Sequence, residues 1–280
     1  MKQIKDRFRQ LEDIYPKNEA SSIFYICMTT LLGCTKAELL CMRDITLSEE
    51  QSCRLDQMLK RLMNHEPIQH ITGQSEFYGS HFCVTKDTLI PRPETEELAD
   101  WIITDWSGKE CSALDIGTGS GCIAITLAKN MKKAEVTAID ISEEALIVAK
   151  ENAKANSCHI NFAQLDILDR QKRDEAGAFD IIVSNPPYIR EAEKEDMQRN
   201  VLDYEPATAL FVPDNDPLLF YREIAEFGKT HLKNNGKLYF EINQAFGNET
   251  VDLLSNLGYK EIILRKDMFG KDRMIRATHK

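Results

Sequence analysis

The sequence lacks the marks of a secreted, membrane-spanning or metal-stapled chain. No apolar run approaches the roughly 20 residues that cross a bilayer. Residues 1–13 carry charges of both signs, with neither the apolar core of a signal peptide nor the acid-poor bias of a transit peptide, so a cytoplasmic chain is expected. The eight cysteines, at 27, 34, 41, 53, 83, 111, 122 and 158, form no C-x-x-C pair, and the six histidines form no H-x-x-x-H pair. No metal site is therefore expected. Cys27 follows Ile23-Phe24-Tyr25-Ile26, as suits a reduced cysteine acting as a small buried hydrophobe. The 13 glycines and 9 prolines in 280 residues exclude collagen-like and low-complexity structure. Positive charge is also short: 35 Lys and Arg stand against 45 Asp and Glu, a net charge of −10. Stable nucleic-acid binding, which needs clustered positive charge, is not expected.

What is present divides into three stretches. Residues 1–74 read as a small helical domain, with Leu32, Ala37, Leu39, Leu40, Met58, Leu59 and Leu62 at helical spacings. Ser48 with Gln51 three residues on is a helix-start signature, and Pro67 ends the region. Residues 75–90 form a linker, where Glu76–Val84 alternates around a Gly79-Ser80 turn and predicts a hairpin. From residue 91 to 280, strand and helix alternate. Strands are expected at Ser112–Ile116, Glu135–Ile139, Ile160–Leu165, Asp180–Ser184, Lys237–Ile242, Glu261–Arg265 and Arg273–Thr278. Helices are expected at Gly121–Asn130, Glu143–Asn156 and Leu218–Leu232, and the Glu94–Glu97 run after Pro93 suits a further helix start. Such alternation predicts an α/β fold, a mostly parallel sheet covered on both faces, with ligands beyond the strand carboxyl ends.

The first strand runs into Asp115-Ile116-Gly117-Thr118-Gly119-Ser120-Gly121. Its glycines permit a tight turn and a close backbone approach to a ligand. The spacing is G-x-G-x-G, not the dinucleotide G-x-G-x-x-G, which disfavours an oxidoreductase. Asp140 ends the second strand, 19 residues after Gly121, and suits a ribose diol; Ser142-Glu143-Glu144 after it leaves a helix-cap role open. Asp115 suits an anchor for the loop amides or a partner for the charged end of a ligand. Asp166 and Ile167 follow the third strand, as an amine acceptor with an apolar neighbour or as a surface turn. The set resembles the S-adenosylmethionine site of Rossmann-like methyltransferases.

The fourth strand runs directly into Asn185-Pro186-Pro187-Tyr188. Two prolines fix the backbone and remove two N–H donors, leaving carbonyl acceptors in set directions. The Asn185 side-chain oxygen and the Pro186 carbonyl can take both hydrogens of a planar –NH₂, with the Tyr188 ring as a stacking face. A plain proline turn would need neither Asn185 nor Tyr188.

Asn185–Tyr188 after Gly117–Gly121 resembles the signature of methyltransferases acting on planar nitrogens. Glu66–Gly73, Glu76–Gly79, Leu89–Glu96, Tyr204–Leu210, Glu241-Ile242 with Gln244, and Lys266-Asp267 with Gly270, Asp272 and Arg273 narrow the resemblance to the HemK/PrmC family, across essentially the whole chain. Departures are His70 where Tyr is common, Asn243 where Gly is common, and Ile167 in place of a larger residue. The resemblance implies a Rossmann-like S-adenosylmethionine-dependent methyltransferase sheet. It implies methyl transfer to the side-chain nitrogen of the glutamine in the Gly-Gly-Gln motif of translation release factors, leaving S-adenosylhomocysteine. On this reading Gly117, Thr118, Gly119, Ser120, Gly121, Asp140, Asp166, Ile167 and Asn185 hold the cofactor. Asn185, Pro186, Pro187 and Tyr188 hold the substrate amide, Asn185 and Pro186 being catalytic. Pro91–Glu96 closes one side of the pocket, Glu205-Pro206 lies near the substrate entrance, and a monomer is expected. The alternatives are a DNA or RNA adenine N6-methyltransferase and a non-catalytic S-adenosylmethionine-binding module.

Overall fold

The computed structural model describes residues 2–42, 44–173 and 177–279. The chain divides into two compact units: Met1–Gln74 with Gln198–Tyr204, and Ser75–Met197 with Glu205–Lys280.

The first unit contains α1 (Lys2–Phe8), α2 (Lys17–Leu32), α3 (Lys36–Cys41), α4 (Glu49–Met63) and α5 (Ile68–Thr72). In α4 Leu55, Met58, Leu59 and Leu62 are buried, the i, i+3, i+4, i+7 stripe of one helix face. They pack with Leu11, Cys27, Met28 and Leu39. Each such side chain contributes about 1.5–3 kcal/mol by leaving water. Ser48 accepts from the Gln51 N–H, and the Gln51 side chain accepts from the Ser48 N–H, closing the expected cap. Leu40 lies in α3, as its helical spacing implies, and is 62% exposed. One expectation fails. Pro67 does not end the helical region: it precedes the first turn of α5, where a missing N–H costs nothing. Residues 198–204 join this unit from far along the chain, and the Tyr204 hydroxyl donates to the Asn64 carbonyl at 2.9 Å.

The second unit opens, from Ser75, within β1 (Gln74–Phe77), followed by β2 (Ser80–Cys83). The hairpin turns on Tyr78 and Gly79, at φ 48° and 68°, not on Gly79-Ser80. Two left-handed residues give the turn whose twist matches the paired strands. Next come α6 (Pro93–Asp105), β3 (Cys111–Ile116), α7 (Cys122–Asn130), β4 (Ala134–Asp140), α8 (Glu143–Ala155), β5 (Asn161–Gln164), α9 (Arg170–Arg173) and β6 (Phe179–Ser184). They are followed by β7 (Ile189–Arg190), α10 (Arg199–Leu202, within the first unit), α11 (Ala207–Leu210), β8 (Phe211–Val212), α12 (Leu219–His231), β9 (Leu232–Glu241), α13 (Gly247–Asn256), β10 (Lys260–Lys266) and β11 (Asp272–Thr278).

The large sheet has the order β10-β11-β9-β6-β3-β4-β5. The five strands from β9 to β5 pair in parallel, and β11 runs antiparallel between β9 and β10. Successive strand residues bury on opposite faces. Ala113, Ile181, Val183 and Tyr239 face α6 and α7, while Leu114, Ile182, Leu238 and Phe240 face α12 and α13. This two-sided burial explains the unbroken apolar runs of β3 and β6. The order reverses between β3 and β6, and their paired last residues, Ile116 and Ser184, set the two loops that follow side by side.

Candidate active site

A cavity of about 350 Å³ opens beyond the carboxyl ends of the parallel strands. It is lined by Gly117–Ser120, Asp140, Leu165–Leu168 and Asn185–Pro187, with Pro91, Arg92 and Thr95 on one side and Pro206 on another. Its size suits a small organic ligand.

The glycine loop is built by backbone demands. Gly117, Gly119 and Gly121 have φ of 72°, 55° and 81°, a region that side chains resist. Gly117 and Gly119 have open space where a Cβ would stand, while a Cβ on Gly121 would lie 3.1 Å from Ile125 and 3.2 Å from Ala149. Gly121 therefore lets the loop lie against α7 and α8. The buried Asp115 carboxylate accepts from Thr118 Oγ1 at 2.7 Å and from the Ala124 N–H at 3.2 Å. Burial pushes its pKa up to about 7, although both hydrogen bonds pull the other way. Of its two expected roles, Asp115 takes that of loop anchor. Asn152 of α8 is a support that the motif does not reveal: its Nδ2 donates to the Ser120 carbonyl at 2.9 Å and its Oδ1 accepts from the Cys83 N–H at 2.7 Å.

Asp140 accepts from the Gly119 N–H at 2.8 Å and from the Ser142 N–H at 3.0 Å. It is 9% exposed, and burial raises its pKa. The cap of α8 is Ser142, which accepts from the Ala145 N–H at 3.0 Å, so the helix needs no cap from Asp140. The Asp140 carboxylate, on which the Ile141 N–H also draws, keeps acceptor capacity for a hydroxyl. Its hold on the Gly119 N–H also takes a loop donor that a phosphate would need. Asp166 accepts from the Leu168 N–H at 2.8 Å, the expected turn geometry, yet it lines the cavity together with the buried Ile167.

Beyond β6 the arrangement depends on side chains from distant elements. Ser184 donates to the Ile116 carbonyl at 2.7 Å, tying the two strand ends. Asn185 Nδ2 donates to Thr95 Oγ1 at 3.3 Å, and Thr95 Oγ1 donates to Glu241 Oε2 at 2.6 Å. The Tyr188 hydroxyl donates to Glu241 Oε1 at 3.1 Å. Tyr188 is not among the cavity-lining residues: its ring packs beside the core and its hydroxyl turns to Glu241. The proposed stacking face is thus absent from the cavity wall, while Asn185, Pro186 and Pro187 are present. Asn243 holds the Tyr188 carbonyl through Nδ2 at 3.0 Å and accepts from the Ala245 N–H at 2.9 Å, a job glycine cannot do. Glu205 does not line the cavity; it pairs with Arg92 and accepts from the Ile90 N–H at 3.1 Å, so it fixes the Pro91 segment instead.

The cavity fits S-adenosylmethionine on three observations. The walls at Gly117 and Gly119 are free of side-chain bulk, Asp140 retains acceptor capacity, and Ile167 offers an apolar surface. Among the cysteines, Cys27 and Cys111 are buried as expected of small hydrophobes, whereas Cys41 and Cys53 are exposed. Among the described residues no helix is long and apolar enough to cross a membrane.

Residues 97–205 match the methyltransferase small domain, and residues 2–73 match the PrmC N-terminal domain. A release factor glutamine methyltransferase of Flavobacterium psychrophilum is 47% identical over 283 aligned positions, covering 99% of both chains. One of Bacteroides thetaiotaomicron is 45% identical, covering 99% of this chain and 100% of its own. Among solved structures, a methyltransferase from Pyrococcus furiosus superposes with a TM-score of 0.51 at 18% identity, over 80% of this chain and 98% of its own, a likeness of fold.

Proposed function

This chain belongs to the release factor glutamine methyltransferase family, and from that membership we propose that it transfers a methyl group from S-adenosylmethionine to the side-chain amide nitrogen of the Gly-Gly-Gln glutamine in translation release factors. One observation carries the reading. The glycine loop and Asn185–Pro187 share one cavity at the reversal point of the sheet. S-adenosylmethionine supplies the electrophilic methyl group on its sulfonium. Gly117–Ser120 would hold it by backbone approach, with Gly121, which does not line the cavity, supporting the loop from behind; Asp140 would receive ribose hydroxyls, and Asp166 with Ile167 would flank the adenine.

An amide nitrogen is a poor nucleophile because its lone pair is shared with the carbonyl. Asn185 Oδ1 and the Pro186 carbonyl would accept the two hydrogens of the –NH₂ and favour the positive charge that develops on nitrogen as the N–CH₃ bond forms and the sulfonium S–CH₃ bond breaks; one N–H proton then passes to water. That is electrostatic stabilisation combined with positioning. Pro187 stiffens the loop, and Tyr188 holds it by its hydroxyl. Residues 1–74 serve in recognition of the protein substrate, 75–90 link, and 91–280 catalyse. The enzyme works as a monomer in the cytoplasm and holds no stable nucleic acid, in keeping with its net charge of −10.

The test is methyl transfer from labelled S-adenosylmethionine to a purified release factor, to the same factor with its Gly-Gly-Gln glutamine replaced, and to duplex DNA. Label on the intact factor alone is expected. Label on DNA, or on both forms of the factor, would overturn the substrate assignment.

A further inference from the structure

Asn185 can serve the reaction only if its oxygen, not its amino group, faces the incoming –NH₂. The two ends of a side-chain amide have nearly the same shape, so packing alone cannot select one. We propose that the buried Glu241, acting through Thr95, is the positioning group that sets the polarity of Asn185. The inference rests on the amide-methylation reading above.

A hydroxyl has one proton to give. Thr95 gives its proton to Glu241 Oε2 at 2.6 Å, and Tyr188 gives its own to Oε1 at 3.1 Å. Thr95 then has only lone pairs to offer Asn185, which meets them with Nδ2 at 3.3 Å. Were the amide reversed, two acceptors would face one another. Asn185 Oδ1 is thereby turned away from Thr95 and left as the acceptor for substrate. A neutral group at position 241 that donates to Thr95 would free the Thr95 proton to point at Asn185, and the reversed amide would be accepted.

The fold supports a carboxylate here. Glu241 ends β9 one residue beyond Phe240, the register partner of Ser184, so it stands level with Asn185. Thr95 lies in the first turn of α6, whose N-terminal dipole favours negative charge. Arg273 of β11 adds attraction, while Glu94 and burial oppose ionisation and raise the Glu241 pKa from its usual value. Cys122 and Tyr221 also lie within electrostatic reach of Glu241, and neither is cationic.

The experiment measures kcat, the KM for S-adenosylmethionine and the melting temperature for the wild type, Thr95→Val, Thr95→Ser and Glu241→Gln. Each is repeated in the Asn185→Ala background, with a release factor as substrate. Thr95→Val is expected to lower kcat by about tenfold or more with little change in KM, in the manner of a lost transition-state interaction. Thr95→Ser, which keeps the hydroxyl, should recover most of that rate. In the Asn185→Ala background, Thr95→Val and Glu241→Gln should cost less than about threefold more, because groups acting through one another are not additive. Full multiplication of the losses, or an unchanged kcat in Thr95→Val, would overturn the relay while leaving the reaction standing. A wild-type chain that labels no release factor would overturn the reaction and the relay together.

Discussion

The two loops that meet at the reversal of the sheet are built in opposite ways. The glycine loop is built mainly from near neighbours: Asp115, Thr118, Gly121 and Ala124 lie within ten consecutive residues, and Asp115 binds Thr118 and Ala124, while Asp140 and Asn152 of the next strand and helix brace Gly119 and Ser120. The Asn185–Tyr188 loop is assembled from afar. Its polarity and shape depend on Thr95 of α6, Glu241 of β9 and Asn243 just beyond it, 90, 53 and 55 positions away from their partners. A cofactor cradle needs a backbone shape, which a short glycine-rich segment supplies with bracing from the strand and helix that follow it. Orienting a substrate amide needs side chains converging from several strand ends, which only a formed sheet provides.

The largest break in this comparison should come from Asn185→Ala. We expect kcat to fall by roughly 10²–10³-fold, the range seen when one charge-stabilising contact is removed, while the Kd for S-adenosylhomocysteine by calorimetry moves by only a few-fold. Equal losses in both would erase the division of labour between the loops. Gly121→Ala attacks the other side. Its φ of 81° and the 3.1 Å approach to Ile125 predict a loss of about 1–3 kcal/mol in stability, with weaker cofactor binding. Thermal melts with and without S-adenosylhomocysteine measure both, and an unchanged melting temperature would refute the packing argument.

Asp115→Asn sharpens the comparison through pH. The folded pKa of Asp115 is raised from 3.8 to about 7, so the folded state binds this proton more tightly than the unfolded state. The stability it contributes is therefore full below about 4 and is lost as pH rises through about 7. Asparagine keeps an acceptor for Thr118 but cannot ionise. The melting temperature of the variant relative to wild type should rise between about pH 4 and pH 8; parallel curves would show that Asp115 does not titrate in this window. The smallest effect is expected from Asn243→Gly, which removes the bond to the Tyr188 carbonyl. A loss of about 1 kcal/mol and a few-fold drop in kcat should follow, and a loss confined to stability would separate the loop clamp from turnover.

The glycine loop could be read from the sequence because its causes sit next to one another. Positive φ favours glycine, and the Asp115 anchor adjoins the loop, whereas the reach of Asp140 to the Gly119 N–H and the Asn152 brace emerged only in the fold. The strands were equally open to reading, since two-sided burial writes itself as runs such as Ile181-Ile182-Val183. Harder were the small turns. Tyr78 at φ 48° gives no sign of a left-handed conformation in its residue type, and Pro67 looks like a terminator although it begins a helix. The Asn185 motif itself was visible, but the outward turn of Tyr188 from the cavity was not.

By itself, then, the sequence determined the alternation of strand and helix, the order in which the loops appear, and the residue types able to make a glycine cradle and a pair of amide acceptors. Those properties follow from local sterics and from hydrophobic period. Only the tertiary structure decided that Thr95, Glu241, Tyr188 and Asn243 would gather around Asn185. The reason is physical: a hydroxyl proton points to whichever acceptor the fold brings within reach, and strand pairing sets β9 beside β6, which no spacing along the chain records.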